Sequence, residues 1–241
     1  MREVLMRKYI TLALMLSIAL LAAACSDGTA DKQESTPEDA TSEQQKKELT
    51  FDNKERVAED TSVVSVNGNE IKGDDYNSVY TRVKTMLHNY GQDVSDLDFI
   101  KEQTITLLVD EELIRQDAAD KGIEVTEEEA QTELEAIKKE TGEEQFNNML
   151  EQFQMNEEDF KDQLINDLIT VQYMDNQFEI EVTDEEIQEY YDKLKEQNEE
   201  IEELAEIKER IESAIYSQKQ SEQLQVKVEE LRKDAEVETL I

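Results

Sequence analysis

The sequence predicts a mainly α fold, several helices with a small β element formed by an N-terminal hairpin and the C-terminal strand. Three observations carry this. Apolar residues recur at helical spacing through most of the chain beyond about residue 74, the mark of amphipathic helices. Only 6 glycines and one proline occur in 241 residues, so few residues interrupt a helix and the connections are short. The exceptions to helical spacing stand at the two ends of this region: a β-branched run closed by Asn67-Gly68, and the last residues Val237-Glu238-Thr239-Leu240-Ile241.

Val63-Val64-Ser65-Val66 reads as a strand, Asn67-Gly68 as a type I′ turn, and Asn69-Glu70-Ile71-Lys72 as the return, since both central residues of that turn need positive φ. A helix follows from about Asp74 to Tyr90, with Gly91 closing it. Ser95 and Asp98 have capping-box spacing and predict a mostly buried helix to about Lys121, stopped by Gly122. Thr126 with Glu129, Thr141 with Glu144, Asn156, and Thr183 with Glu186 predict four further helix starts. The apolar pattern lapses at Glu196–Glu200 and resumes from Ile201 through Leu231. The last five residues are expected to pair with Val63–Val66, which would bring the ends of the folded region together.

The N-terminus has its own organisation. Arg2, Arg7 and Lys8 precede an apolar run from about Tyr9 to Ala24, shorter than the roughly 20 residues a spanning helix needs. This fits a secretory signal over 1–24. Cys25, the only cysteine, follows Leu21-Ala22-Ala23-Ala24 and resembles a bacterial lipobox, with the leucine one place further back than usual. Residues 25–60 are polar and carry Pro37; such a stretch buries too little apolar surface to order itself and reads as a lipidated tether. The folded region is then 61–241. One cysteine excludes an intramolecular disulfide. The net charge of −36 excludes nucleic acid, which is held by basic patches, and leaves attachment to a membrane to lipid rather than to surface charge.

Three stretches carry a family resemblance: VVSVNGNEIKGDDYNSVY, the segment from Glu112 to Ala130, and IEVTDEEIQEYYDKLK from Ile180 to Lys195. In their order they are similar to SurA-type chaperones and PrsA-type lipoprotein foldases, and Ile207–Ile241 resembles the part of that family that returns after a parvulin prolyl-isomerase domain. The resemblance implies a helical chaperone domain, a diacylglyceryl lipid on Cys25, and a place on the outer face of the cell membrane of a Gram-positive bacterium. It departs from the family between Lys195 and Ile207. That interval is too short for a parvulin domain, no glycine follows Gly142, and His88 is the sole histidine. The isomerase insert near 196–206 is therefore expected to be absent, and the protein is not expected to be an enzyme.

Nothing else in the sequence signals catalysis. His88 near a helix end reads as a solvated residue favoured by the helix dipole, and the acidic clusters read as solvated helix faces. No calcium loop or glycine-rich phosphate loop is present, and no cofactor or metal is implied. The candidate client-binding residues are Phe146, Met149, Phe153, Met155 and Phe160, with Tyr190 and Tyr191; methionine and aromatic side chains adapt to varied apolar partners, though the same residues equally suit a helical core. Tyr173 shares that ambiguity. The reading is a chaperone for unfolded or nascent secreted proteins, with a homodimer left open because the sequence does not say whether the helices pair as a clamp. A foldase related to prolyl isomerases, and a non-enzymatic scaffold for another envelope protein, are the alternatives.

Overall fold

The computed structural model describes residues 49–198 and 201–241. Cys25, the signal at 1–24 and the tether up to residue 48 lie outside them. Strand β1 (Ser62–Val66) pairs antiparallel with β2 (Asn69–Lys72). The turn between them holds Asn67 at φ 53° and Gly68 at φ 87°, the type I′ geometry expected of Asn-Gly. Val63, Val64 and Val66 are all fully buried. Strict alternation would turn one of the first two outward, but the register shifts between Ser62 and Val64, and an extra residue there lets both face the core. The last strand, β3 (Val237–Thr239), pairs antiparallel with the other side of β1, giving the order β2-β1-β3. The two ends of the folded region meet as the sequence predicts, and the fold is mainly α with this small sheet.

Seven α-helices occur among the described residues: α1 (Gly73–Asn89), α2 (Leu97–Asp120), α3 (Glu127–Thr141), α4 (Glu143–Phe153), α5 (Glu157–Gln177), α6 (Asp184–Gln197) and α7 (Leu204–Asp234). Capping boxes open α3 at Thr126, α5 at Asn156 and α6 at Thr183. Two expected boxes are corrected. Asp96, not Ser95, caps α2, accepting from the Phe99 amide at 3.0 Å, while the Ser95 amide donates to Asp93. Thr141 does not open α4; its hydroxyl donates to the Ile137 carbonyl at 2.8 Å, and Gly142 at φ 83° makes the break. α1 starts at Gly73, where a Cβ would lie 2.1 Å from the Ala58 carbonyl oxygen, so only glycine lets the chain pass there.

The hydrophobic interior divides into four clusters. The first joins the sheet, α1 and the first half of α2, around Val64, Tyr80, Val83 and Ile100. The second joins the end of α2 to α5, around Ile114 and Tyr173, with Leu224 and Val228 of α7 against it. The third lies within α3, α4 and α5, and the fourth within α6 and the first half of α7. A helix of 31 residues is about 46 Å long, so α7 reaches from the fourth cluster to the second, and Leu231 near its end touches the first and second together. Arg232 fastens that end, with Nε 2.6 Å from Asp110 Oδ1 and Nη2 donating to the Thr106 carbonyl.

Packing begins earlier than composition indicates. Phe51 and Val57 lie against the first cluster, and a 3-10 turn over Asn53–Glu55 buries Glu55. Glu55 accepts from Lys84 and from the Tyr80 hydroxyl. A polar segment reads as tether because its anchor is an ion pair rather than an apolar run.

Candidate functional site

The expected client-binding residues fall into two separate places. Phe146 of α4 and Phe160 of α5 are buried and meet edge to face, with ring centroids 5.2 Å apart. Leu134, Leu150 and Leu164 complete this small core, and the Lys138 ammonium lies 5.4 Å from the Phe146 ring centroid. Met149 and Met155 are only partly buried and form part of its rim, with Ile137 and Leu168. Phe153 ends α4 and is also partly buried. The chain turns there because Gln154 adopts a left-handed φ of 52° and the Met155 amide donates back to the Leu150 carbonyl. Phe146 and Phe160 therefore hold the shape of the unit, while the two methionines and Phe153 keep some exposed surface. Tyr191 is buried in the α6–α7 cluster with Tyr190 half-buried beside it. Tyr173 is fully buried, and its hydroxyl donates to Asp117.

The face where α1, α2 and α5 approach one another is polar. Arg82 of α1 bonds Glu111 of α2 at 2.8 Å. Asp167 of α5 lies near both and accepts from Gln163 at 2.8 Å. Burial pushes the Asp167 carboxyl up to about 6 despite the pull of Arg82. Burial also raises Asp75, with Asp74 and Asp162 adding to it and Arg115 opposing. At the hairpin end, Glu112 is buried and receives Asn69, Arg115 and Gln116, and Gln116 donates on to the Val66 carbonyl at 3.1 Å. These groups clamp helices to one another and to the sheet.

A hollow beside α7 is lined chiefly by polar and charged side chains. It lies between the α5–α6 connection and α7 and is lined by Glu179, Ile180, Glu181, Lys219, Glu222 and Gln223, and Lys219 fills part of it by bonding the Glu181 carbonyl and Glu186. Among the described residues no group of three or more His, Cys, Asp or Glu is placed to hold a metal ion. No described helix is long and apolar enough to cross a membrane.

Exposed apolar surface is the feature that helical spacing does not reveal. Tyr90, Leu97 and Phe99, at 62%, 38% and 41% exposure, stand around the connection between α1 and α2. Val226 on α7, and Val237 and Leu240 at the end of the chain, are exposed too. Spacing assigns Tyr90 and Phe99 to the inner faces of their helices. The available signal was their position: Tyr90 stands just before the helix-ending Gly91, and Phe99 lies in the first turn after the capping Asp96.

The fold is thus a helical domain around a small sheet, with exposed apolar side chains at the ends of several elements. A family model described as the SurA-like N-terminal domain matches residues 49–174. The foldase protein PrsA of Caldanaerobacter subterraneus subsp. tengcongensis is 31% identical over 154 residues, 59% of this chain and 45% of that protein. The chain belongs to the SurA-like N-terminal domain family, and it spans less than half the length of that relative.

Proposed function

We propose that this protein is a lipid-anchored extracytoplasmic chaperone that holds unfolded exported proteins and suppresses their aggregation. The observation that carries this is the join between α6 and α7. The sequence resembles the family both before this join, over 180–195, and after it, from Ile207, yet only residues 198–203 stand between the two helices, and Tyr191 of α6 donates to the Glu202 carbonyl at 3.2 Å. This is the place where relatives with an isomerase domain would insert it. Holding therefore accounts for the frame better than prolyl isomerisation does. Half-buried Met149, Met155, Phe153 and Tyr190 supply adaptable contact surface, with Phe146, Phe160 and Tyr191 supporting them from the core. Lipid on Cys25 would station the body at the outer face of the membrane, since its acidity gives no attraction to anionic headgroups.

The mature chain, added in modest excess to an aggregating unfolded client, should slow the rise of light scattering. No slowing with several unrelated clients would remove the holding function. Turnover of a proline peptide above background would favour the isomerase reading. One stoichiometric partner in pull-down, in place of many clients, would favour the scaffold. Cys25→Ala should abolish labelling of the protein by a fatty-acid analogue fed to cells; undiminished labelling would exclude the lipid anchor.

A further inference from the structure

The connection between α1 and α2 exposes apolar and acidic side chains side by side along the chain. α1 and α2 pack together, and Leu87 near the end of the first and Ile100 near the start of the second share one core cluster. Tyr90, Leu97 and Phe99 therefore lie at the same end of the helix pair. The loop between them is held in place. The Gly91 amide donates to the His88 carbonyl, the Gln92 amide to the Leu87 carbonyl, and Val94 tucks against the core. Single exposed apolar residues are ordinary on protein surfaces, and Val226 is one such on α7. Three of them within ten residues on a fixed tip make a patch, the kind of surface that marks an interaction site.

Charge says what fits the patch. Asp93, Asp96, Asp98 and Glu102 are all exposed around it, against Lys101 alone in the same stretch. The rest of the chain adds to the negative field, with a net charge of −36. A second copy of this chain, or an anionic lipid surface, meets that field as a like charge. A segment with lysine or arginine beside its apolar residues meets it as an opposite one, and such complementarity sets specificity and speeds encounter. We propose that the tip docks extended polypeptide segments whose apolar residues are flanked by basic ones. This rests on the chaperone reading and adds to it a second contact surface, apart from Met149, Phe153, Met155 and Tyr190, with its own client chemistry.

The test uses two short fluorescein-labelled peptides with the same leucines and phenylalanines, one flanked by lysine pairs and the other by glutamate pairs, titrated with the mature chain and read by anisotropy. The lysine-flanked peptide should bind at least about tenfold more tightly, with the advantage shrinking as salt is raised. Tyr90→Ser with Phe99→Ser should weaken its binding by about tenfold or more, with circular dichroism unchanged. Asp98→Asn with Glu102→Gln, which removes no apolar surface, should weaken it less and flatten the salt dependence. Val226→Ser should leave it unchanged. Equal affinity for the two peptides overturns the charge argument. Lysine-peptide affinity unmoved by both double variants overturns the tip assignment, as does self-association, or binding to zwitterionic vesicles, that depends on Tyr90 and Phe99. If the unsubstituted chain still suppresses client aggregation in those cases, the chaperone reading survives and only the tip fails. If it neither suppresses aggregation nor binds either peptide, both fall.

Discussion

Lys84 and Glu55 form an ion pair whose side chains are 5% and 4% exposed. Lys84 also donates to the Thr50 carbonyl at 2.8 Å and lies 4.9 Å from the Phe51 ring centroid, so one side chain holds the whole 49–55 segment. Burial pushes the Glu55 carboxyl up, but bonds from Lys84, the Asp52 amide and Tyr80 outweigh it and leave the group below its ordinary range. Its stabilising contribution is thus present above the ordinary glutamate pKa and is lost as pH falls through the lowered one. Removing one partner of a buried pair strands the other, so Lys84→Met should cost about 3–5 kcal/mol, read as a lower urea midpoint. Adding Glu55→Gln should recover part of that. Asp167 behaves in the opposite sense. Its folded pKa is raised to about 6 from 3.8, by burial and by Glu111 against the pull of Arg82 and Gln163. Between those values the folded state binds more protons than the unfolded one, so this group weakens the fold as pH rises from 4 to 6. Asp167→Asn should therefore stabilise at pH 7 by about 1–2 kcal/mol, less than the full shift because the side chain keeps some water contact. The gain should vanish near pH 4; thermal midpoints at pH 4 and pH 7 check it.

Helix starts show what the sequence could and could not display. Asn156 accepts from the Glu158 and Asp159 amides at 2.8 and 3.0 Å, and Asp159 accepts in return from the Asn156 amide. Asn156→Ala should cost about 1 kcal/mol. Ser95→Ala and Thr141→Ala should cost close to nothing in the same urea titration, because neither hydroxyl caps a helix. All three positions have similar spacing in sequence, so spacing alone could not separate them. Two local events decide: Asp96 stands one residue closer to α2 and takes the cap, and Gly142 at φ 83° lets α3 run through Thr141 before the chain turns. The candidate site follows the same logic. The spacing of Phe146, Leu150, Phe160 and Leu164 makes a shared core legible, and the structure puts all four in one cluster. Whether a periodic residue is covered depends on how far the neighbouring helix extends. That is why Tyr90 and Phe99, at the ends of their helices, look internal in sequence and are exposed in the fold. The Asp167–Arg82–Glu111 group escaped sequence reading altogether, because its members come from three helices and only packing brings them together.

At the scale of the molecule, four modest clusters are held as one body by elements that reach between them. α7 carries apolar residues for the fourth cluster in its first half and for the second in its second half, and β3 then delivers the chain to the sheet of the first. The pairing of the two ends was legible because both are β-rich runs in an otherwise helical sequence, and a lone strand must find a partner. Its register is regular, with Val64 against Thr239 and Val66 against Val237, and the bulge lies on the other side of β1, in its pairing with β2. The bonding pattern in that register makes a sharp test. The Leu240 amide donates to the Val63 carbonyl and the Asn67 amide to the Glu236 carbonyl, each at 2.8 Å. In an antiparallel ladder bonded pairs recur every second residue, so Glu238 faces its partner Ser65 with its backbone groups, while the amides of Val237 and Thr239 point to the open edge. Proline lacks the amide and is tolerated only on such an outward position. Glu238→Pro should therefore cost about 1–3 kcal/mol for the lost ladder bond, and Thr239→Pro distinctly less. If the last strand ties α7 to the sheet, Glu238→Pro should also speed hydrogen exchange at Ser65 and in the final turns of α7, around Leu231 and Arg232, while leaving exchange in α3 and α4 unchanged. Equal destabilisation by the two prolines would disprove this register, and faster exchange confined to β1 would show that the end of α7 is held by Arg232 and the second cluster without help from the strand.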